Sequence, residues 1–290
     1  MGGVIGKGSP DRALLPEDVK EICATAVTDL PVDGKRVLVL IPDRTRHAPI
    51  DIFFHILTDL LCRRVNRLDF LVASGTHHPM SMEAIYNHVG ITAAEHQAKF
   101  ANVGFFNHEH DNPSALVSLG KLLGKEISKL TEGLFDQTIN ITINRKALEY
   151  DHILIISPVA PHEAMGFAGG NKYFFPGIGG LDIIETFHWL GAVITNPVVN
   201  GVKDTPTRRV IDRAATFLHT PSTCFAFAVN DHHDLACLFV GDTKAAWSSN
   251  SAGLTARFSQ HSPVTQRWRQ SNKFVRLPKV ARRASNGDSC

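Results

Sequence analysis

Residues 36–79 read RVLVLIPDRTRHAPIDIFFHILTDLLCRRVNRLDFLVASGTHHP, and this stretch decides the fold. Arg36–Ile41 is a short unbroken apolar run closed by Pro42 and Asp43, the form of a buried strand that ends in a loop. Ile50–Arg64 carries apolar residues at helical spacing, with Pro49 suited to the first turn. Leu68–Ala73 is a second buried-strand run, and it ends at Ser74-Gly75-Thr76-His77-His78-Pro79.

The alternation continues outward. Helices are expected to open at Ser81 and over Thr92–Lys99, and strands over Thr138–Ile143 and His152–Ser157. Further helices are expected around Leu181–Leu190 and Thr207–Leu218, then strands around Cys224–Val229 and Ala236–Val240. Strands alternating with helices predict an α/β fold with a largely parallel sheet flanked by helices. Asp43-Arg44-Thr45-Arg46, the Ser74–Pro79 turn and the segment from Pro161 each follow a predicted strand. In open sheets of this class ligands bind beyond the carboxyl ends of the strands, so three motifs more than a hundred residues apart can share one cleft. Residues 1–248 are expected to form this α/β body. From about Ser249 the periodicity fades into a basic, Ser/Gln/Arg-rich tail over 249–290, expected to be disordered or aberrant.

At 290 residues, 43% of them apolar and 20% charged, the chain has the make-up of a globular protein with a substantial core and not of a disordered one. No apolar run is long enough for a membrane span. The five cysteines are odd in number and lack CxxC spacing, which fits a reducing cytoplasm and argues against a disulfide framework. Residues 251–290 hold eight Lys/Arg against one acid, leaving the body with 22 basic and 27 acidic residues. A nucleic-acid function would therefore rest on the tail alone, and none is expected.

The densest chemistry lies in Pro161–His188, PHEAMGFAGGNKYFFPGIGGLDIIETFH, where six glycines surround one lysine and histidines stand at both ends. Glycines let backbone approach a ligand closely. A lysine in a glycine-rich, partly apolar pocket is a candidate point of covalent attachment, because a desolvated amine loses its proton more readily. The GFAGGNK segment fails the P-loop pattern and GxGxxG alike, which speaks against nucleoside triphosphate hydrolysis. His77 sits at a strand end beside a glycine, suited to general acid/base work at neutral pH. Asp43, Thr45 and Arg46 read either as a surface salt-bridge loop or as a grip on carboxylate or phosphate. His108-Glu109-His110-Asp111 and the pair His232-His233 read as solvated loops. His188 alone reads as a core-edge histidine with no ligand partners at good spacing.

GTHHPMS and the Pro161–His188 segment together identify a resemblance. Over roughly residues 10–245 the chain resembles the nickel-pincer-nucleotide-dependent lactate racemase family, the LarA-like 2-hydroxyacid racemases and epimerases. The resemblance implies that Lys172 bonds covalently to the cofactor and that His188 is the single protein ligand to nickel. It implies His77 and His162 as the acid/base pair on opposite faces of the substrate. Asp43 and Arg46 would position His77, the cofactor or the substrate carboxylate, while Thr45, Gly169 and Gly170 would lie against the nucleotide. The implied reaction moves a hydride from C2 of a small, lactate-like 2-hydroxy acid to the cofactor and back, inverting the centre. The implied partners are that substrate and the enzymes that make the cofactor.

The family's C-terminal domain has no counterpart in residues 249–290 and is expected to be missing, so this chain is expected to be inactive as it stands. The alternatives are a non-catalytic remnant that keeps the nucleotide or nickel, and a zinc-dependent hydrolase, which needs a three-ligand cluster.

Overall fold

The computed structural model describes residues 3–9, 12–46 and 48–251. The first half builds β1 (Ile5–Gly8), α1 (Pro16–Thr28), β2 (Arg36–Ile41), α2 (Ile50–Leu61), β3 (Arg67–Val72), α3 (Met82–His88), α4 (Ala93–Lys99) and β4 (Gly104–Asn107). Next come β5 (Leu116–Leu122), α5 (Gly124–Leu130), β6 (Ile139–Asn144), α6 (Lys146–Glu149), β7 (His152–Pro158), β8 (Pro161–His162) and β9 (Gly166–Phe167). The last elements are α7 (Leu181–Ile194), α8 (Asn196–Val199), α9 (Pro206–Ala215), β10 (Ser222–Val229) and β11 (Leu235–Gly241). The backbone is again helical over 243–251, and the remainder of the expected tail lies outside the described residues.

Seven strands form the main sheet in the order β1-β11-β10-β7-β2-β3-β4. The five from β10 to β4 run parallel, and β11 and β1 add antiparallel at one edge. The unbroken apolar runs follow from this position, because a central parallel strand is covered on both faces. Along β2, Val37, Val39 and Ile41 enter one core with α1 and α2, while Leu38 and Leu40 enter the other with α7 and α9. The face of α2 that holds Ile50, Phe53, Phe54, Leu57 and Leu61 is buried at helical spacing. Phe53 meets Phe227 at 5.1 Å and Phe54 meets Phe70 at 5.2 Å between ring centroids, so α2 is fixed to the sheet. Each such ring contributes about 1.5–3 kcal/mol through burial.

Local signals set the shorter helices. Ser81 caps α3 by accepting the Ala84 N–H at 3.2 Å, and Thr92 with Glu95 forms a reciprocal cap on α4. No helix among the described residues is long and apolar enough to cross a membrane.

The α/β class with a largely parallel sheet stands, with differences in detail. The strand expected at Thr138–Ile143 forms one residue later, as β6, and pairs antiparallel with β5 in a separate ribbon. Five further strands are not marked in the sequence, among them the two-residue pair β8 and β9. β1 (IGKG) and β4 (GFFN) are four residues long with little buried surface, and β5 (LVSLGKL) alternates weakly. Each takes its conformation from a neighbour's ladder and not from its own pattern.

Topology fixes where a site can form. β2 lies between β3, reached through α2, and β7, on its opposite side. The chain direction across the sheet reverses there, leaving a crevice at the carboxyl ends of β2 and β7.

Candidate active site

Loops from β2, β3 and β7 and the start of α7 enclose a cavity of about 200 Å³ at that crevice. Asp43 and Arg46 enter from the β2 loop, and His77 from the β3 loop. His162, Gly169, Lys172 and His188 enter from the segment after β7. The loops are tied together by backbone: the Gly75 N–H donates to the Gly177 carbonyl at 3.0 Å.

Asp43 is almost completely buried and accepts a hydrogen bond from Nδ1 of His77. Its other oxygen accepts the Thr45 N–H at 3.0 Å and the Thr45 hydroxyl. Burial acts to raise the Asp43 pKa, but the hydrogen bonds from Thr45 and His77 outweigh it and hold the carboxyl below its ordinary range. With Nδ1 on a carboxylate, the His77 ring is oriented and its Nε2 is left free of Asp43. Asp43 thus holds the His77 ring through Nδ1. The Thr45 N–H and hydroxyl, expected beside the nucleotide, are both engaged by Asp43.

Lys172 is half-buried, and its Nζ lies 3.2 Å from Nε2 of His162. Burial, then the charges of Arg46 and Arg208, lower the lysine pKa from 10.5 to about 7. His162 is buried and is pushed far below its ordinary value by burial first and Lys172 second. Both groups thus lose their protons more readily than free lysine and histidine do.

The glycines before Lys172 are also required by the packing of their own loop. Gly169 lines the cavity at φ +86°, and a Cβ there would stand 2.9 Å from the Pro158 carbonyl oxygen. Gly170 faces Trp247, 3.0 Å from where its Cβ would be. Both positions need glycine for the packing of the loop itself.

His188 sits on the exposed face of α7, with its ring at the cavity instead of in the core edge. Its neighbour Phe187 is buried edge-on to the His162 ring, with centroids 6.0 Å apart. Among the described residues no group of three or more His, Cys, Asp or Glu is arranged to hold a metal ion. A metal here would need most of its ligands from an organic group, with His188 as the protein's donor.

Sequence reasoning missed three residues. His108, read as a solvated loop residue, is buried; it donates Nε2–H to the Gly179 carbonyl at 2.9 Å and accepts from Asn144 at 3.3 Å. Burial lowers its pKa to about 4. Arg208 and Trp247 grip the glycine loop from behind. No motif marks them, and a buried arginine on a helix is visible only once its partners are.

The profile of the lactate racemase N-terminal domain family matches residues 17–199. Lactate racemase of Lactiplantibacillus plantarum is 29% identical over 171 residues, covering 57% of this chain and 35% of that protein. Lactate racemase of Thermoanaerobacterium thermosaccharolyticum is 28% identical over 179 residues, covering 58% and 35%. The chain thus spans about a third of the length of the curated relatives it matches. Among solved structures, a protein from Thermotoga maritima superimposes with a TM-score of 0.77 at 30% identity, over 88% of this chain and 60% of that one. The lactate racemase apoprotein from T. thermosaccharolyticum shares the fold, with a TM-score of 0.63 at 20% identity, over 87% and 56%.

Proposed function

The chain belongs to the lactate racemase N-terminal domain family, and from that premise we propose that it is the cofactor-binding part of a 2-hydroxyacid racemase or epimerase. The single observation that carries this reading is the 3.2 Å contact between the Lys172 amine and His162, in a cavity shared with the Asp43-anchored His77 and with His188. The residues fit a nickel-pincer nucleotide: Lys172 would hold it covalently, and His188 would ligate its nickel. That arrangement removes the need for a protein-only metal cluster. When bound, the group supplies a hydride acceptor and donor for C2 of the substrate.

The protein residues manage the proton. His77, oriented by Asp43, presents Nε2 as a base for the hydroxyl of one enantiomer, and His162 serves the other face. Arg46 offers a planar cationic grip for the substrate carboxylate. Crowding of these groups in one small cavity limits access of water to the reacting carbon. The substrate class is a small, lactate-like 2-hydroxy acid. The cofactor-binding unit is the α/β body of residues 1–248. The cofactor-synthesising enzymes are the partners, and a reducing cytoplasm, consistent with the free Cys23, Cys62, Cys224 and Cys237, is the compartment.

The test is intact-protein mass spectrometry with nickel analysis after co-expression with the cofactor-making enzymes. A nucleotide-sized adduct that disappears in Lys172→Ala, with nickel lost in His188→Ala, supports the reading. Unmodified, nickel-free protein under those conditions overturns it.

A further inference from the structure

The five residues before Lys172 are each tied to a rigid element. Arg208 of α9 donates Nη2–H to the Phe167 carbonyl and Nη1–H to the Gly169 carbonyl, the latter at 3.1 Å. Between them the Ala168 carbonyl accepts the Trp247 indole N–H at 2.8 Å. The Gly170 N–H donates to Ser157 Oγ at 2.8 Å, at the end of β7. Asp212, one turn beyond Arg208 on α9, accepts from the Asn171 side chain at 3.0 Å. The Arg208 guanidinium also lies over the Trp247 ring at 4.2 Å, so the two side chains form one unit behind the loop.

This arginine is unusual on physical grounds. It is 2% exposed, and among the described residues no carboxylate forms an ion pair with it. Asp212, whose charge acts on it, is itself held by Asn171 and Lys244. Its Nε has no partner. A buried guanidinium without a counter-ion carries a desolvation penalty, and an unpaired N–H adds to it. An aliphatic side chain would fill the same space at lower cost if packing were its only task. What the arginine alone supplies is a planar fork that reaches two carbonyls of one loop, and a fixed positive charge beside the amine.

We propose that Arg208, backed by Trp247, is the positioning residue of the attachment lysine: it fixes the 167–171 loop so that the Lys172 amine stands against His162 in the cavity. The proposal rests on the reading of Lys172 as the attachment point. The charged and titratable groups acting on that amine are Arg46 and Asp43 from the β2 loop, His162 and Glu163 from the segment after β7, and Arg208 from α9. Arg46 and Arg208 favour the uncharged amine, and Asp43 and Glu163 oppose them.

The experiment is trace acylation of the cofactor-free chain with a small anhydride between pH 6 and 10. Labelling of Lys172 is compared with that of the exposed Lys20 by peptide mass spectrometry. In Arg208→Met the pH midpoint for Lys172 is expected to rise by about one unit or more, which at pH 7 lowers its labelling about five-fold. Lys20 should not change. Circular dichroism checks that each variant is folded. Should Arg208→Met fail to fold, Arg208→Lys and Trp247→Phe carry the test, because each removes part of the grip and spares the core. At least one should cut Lys172 labelling several-fold, and an unchanged Lys172 profile in folded variants overturns the proposal. No cofactor is present in this experiment, so a failure of adduct formation and a failure of the clamp are read separately.

Discussion

Lys172 Nζ lies 3.2 Å from Nε2 of His162, while the Ala164 N–H reaches Nδ1 of the same ring at 3.2 Å. A ring that accepts at Nδ1 carries its proton on Nε2, so the lysine receives that hydrogen on its lone pair. The lowered lysine pKa and this tautomer point the same way: the amine gives up its proton far more readily than a free lysine.

That fact makes stability pH-dependent in a definite direction. Between a folded value of about 7 and the ordinary 10.5, the unfolded chain binds the proton that the folded chain refuses. Stability of the unsubstituted protein therefore rises with pH across that window. Lys172→Met is expected to be the more stable protein at pH 7, with an advantage that shrinks by pH 9.5. Urea unfolding of both proteins at the two pH values measures this, and a pH-independent difference would count against it.

Asp43 and His77 should behave as one unit. On the proposed function, Asp43→Asn keeps the shape but loses the charge that orients the imidazole, and any racemisation by the cofactor-loaded protein should fall about 100-fold or more, as in His77→Gln. Because both act on one proton, the double variant should be little worse than either single one. Additive losses in steady-state racemisation assays would separate their roles.

His108 holds Gly179, at the turn that leads into α7. His108→Leu leaves the Gly179 carbonyl and the Asn144 amide unpaired, at a cost of about 1–3 kcal/mol at pH 7. The folded histidine has a pKa near 4 against an ordinary 6.5, so its neutral form destabilises the native state as pH falls through that interval. The deficit of the leucine variant should narrow by about 1–2 kcal/mol at pH 5. Paired denaturation curves at pH 7 and 5 decide it.

Gly169→Ala should destabilise the protein with no ligand present. Its φ of +86° is unfavourable for alanine, and the added methyl would meet Ser157 Oγ at 2.8 Å. A loss of about 2–3 kcal/mol is expected in thermal unfolding of the cofactor-free chain. A variant that folds normally and fails only in nucleotide attachment would make contact with the ligand the main task of this glycine.

The strands that carry the site were legible because burial on both faces demands continuous apolar sequence, as in Arg36–Ile41 and Leu68–Ala73. The convergence of Asp43, His77, His162 and Lys172 was legible for the same reason, since all follow such strands. Strands of four residues such as β1 and β4 were not, because the ladder of a neighbour and not their own pattern holds them extended. The two-histidine motif around His108 misled, since local polarity carries no information about what will cover it.

The sequence by itself determined the α/β alternation, the family resemblance and the residue types at the cavity, because periodicity and motif chemistry are local properties. Only the tertiary structure decided which groups serve which. It assigned Thr45 to Asp43, turned Gly170 toward Trp247, buried His108 under the Gly179 turn, and brought Arg208 behind Lys172 from 36 residues away. The reason is physical: hydrogen-bond partners and desolvation depend on distances in space, and those are set by the packing of α7, α9 and the 243–251 helix on the sheet.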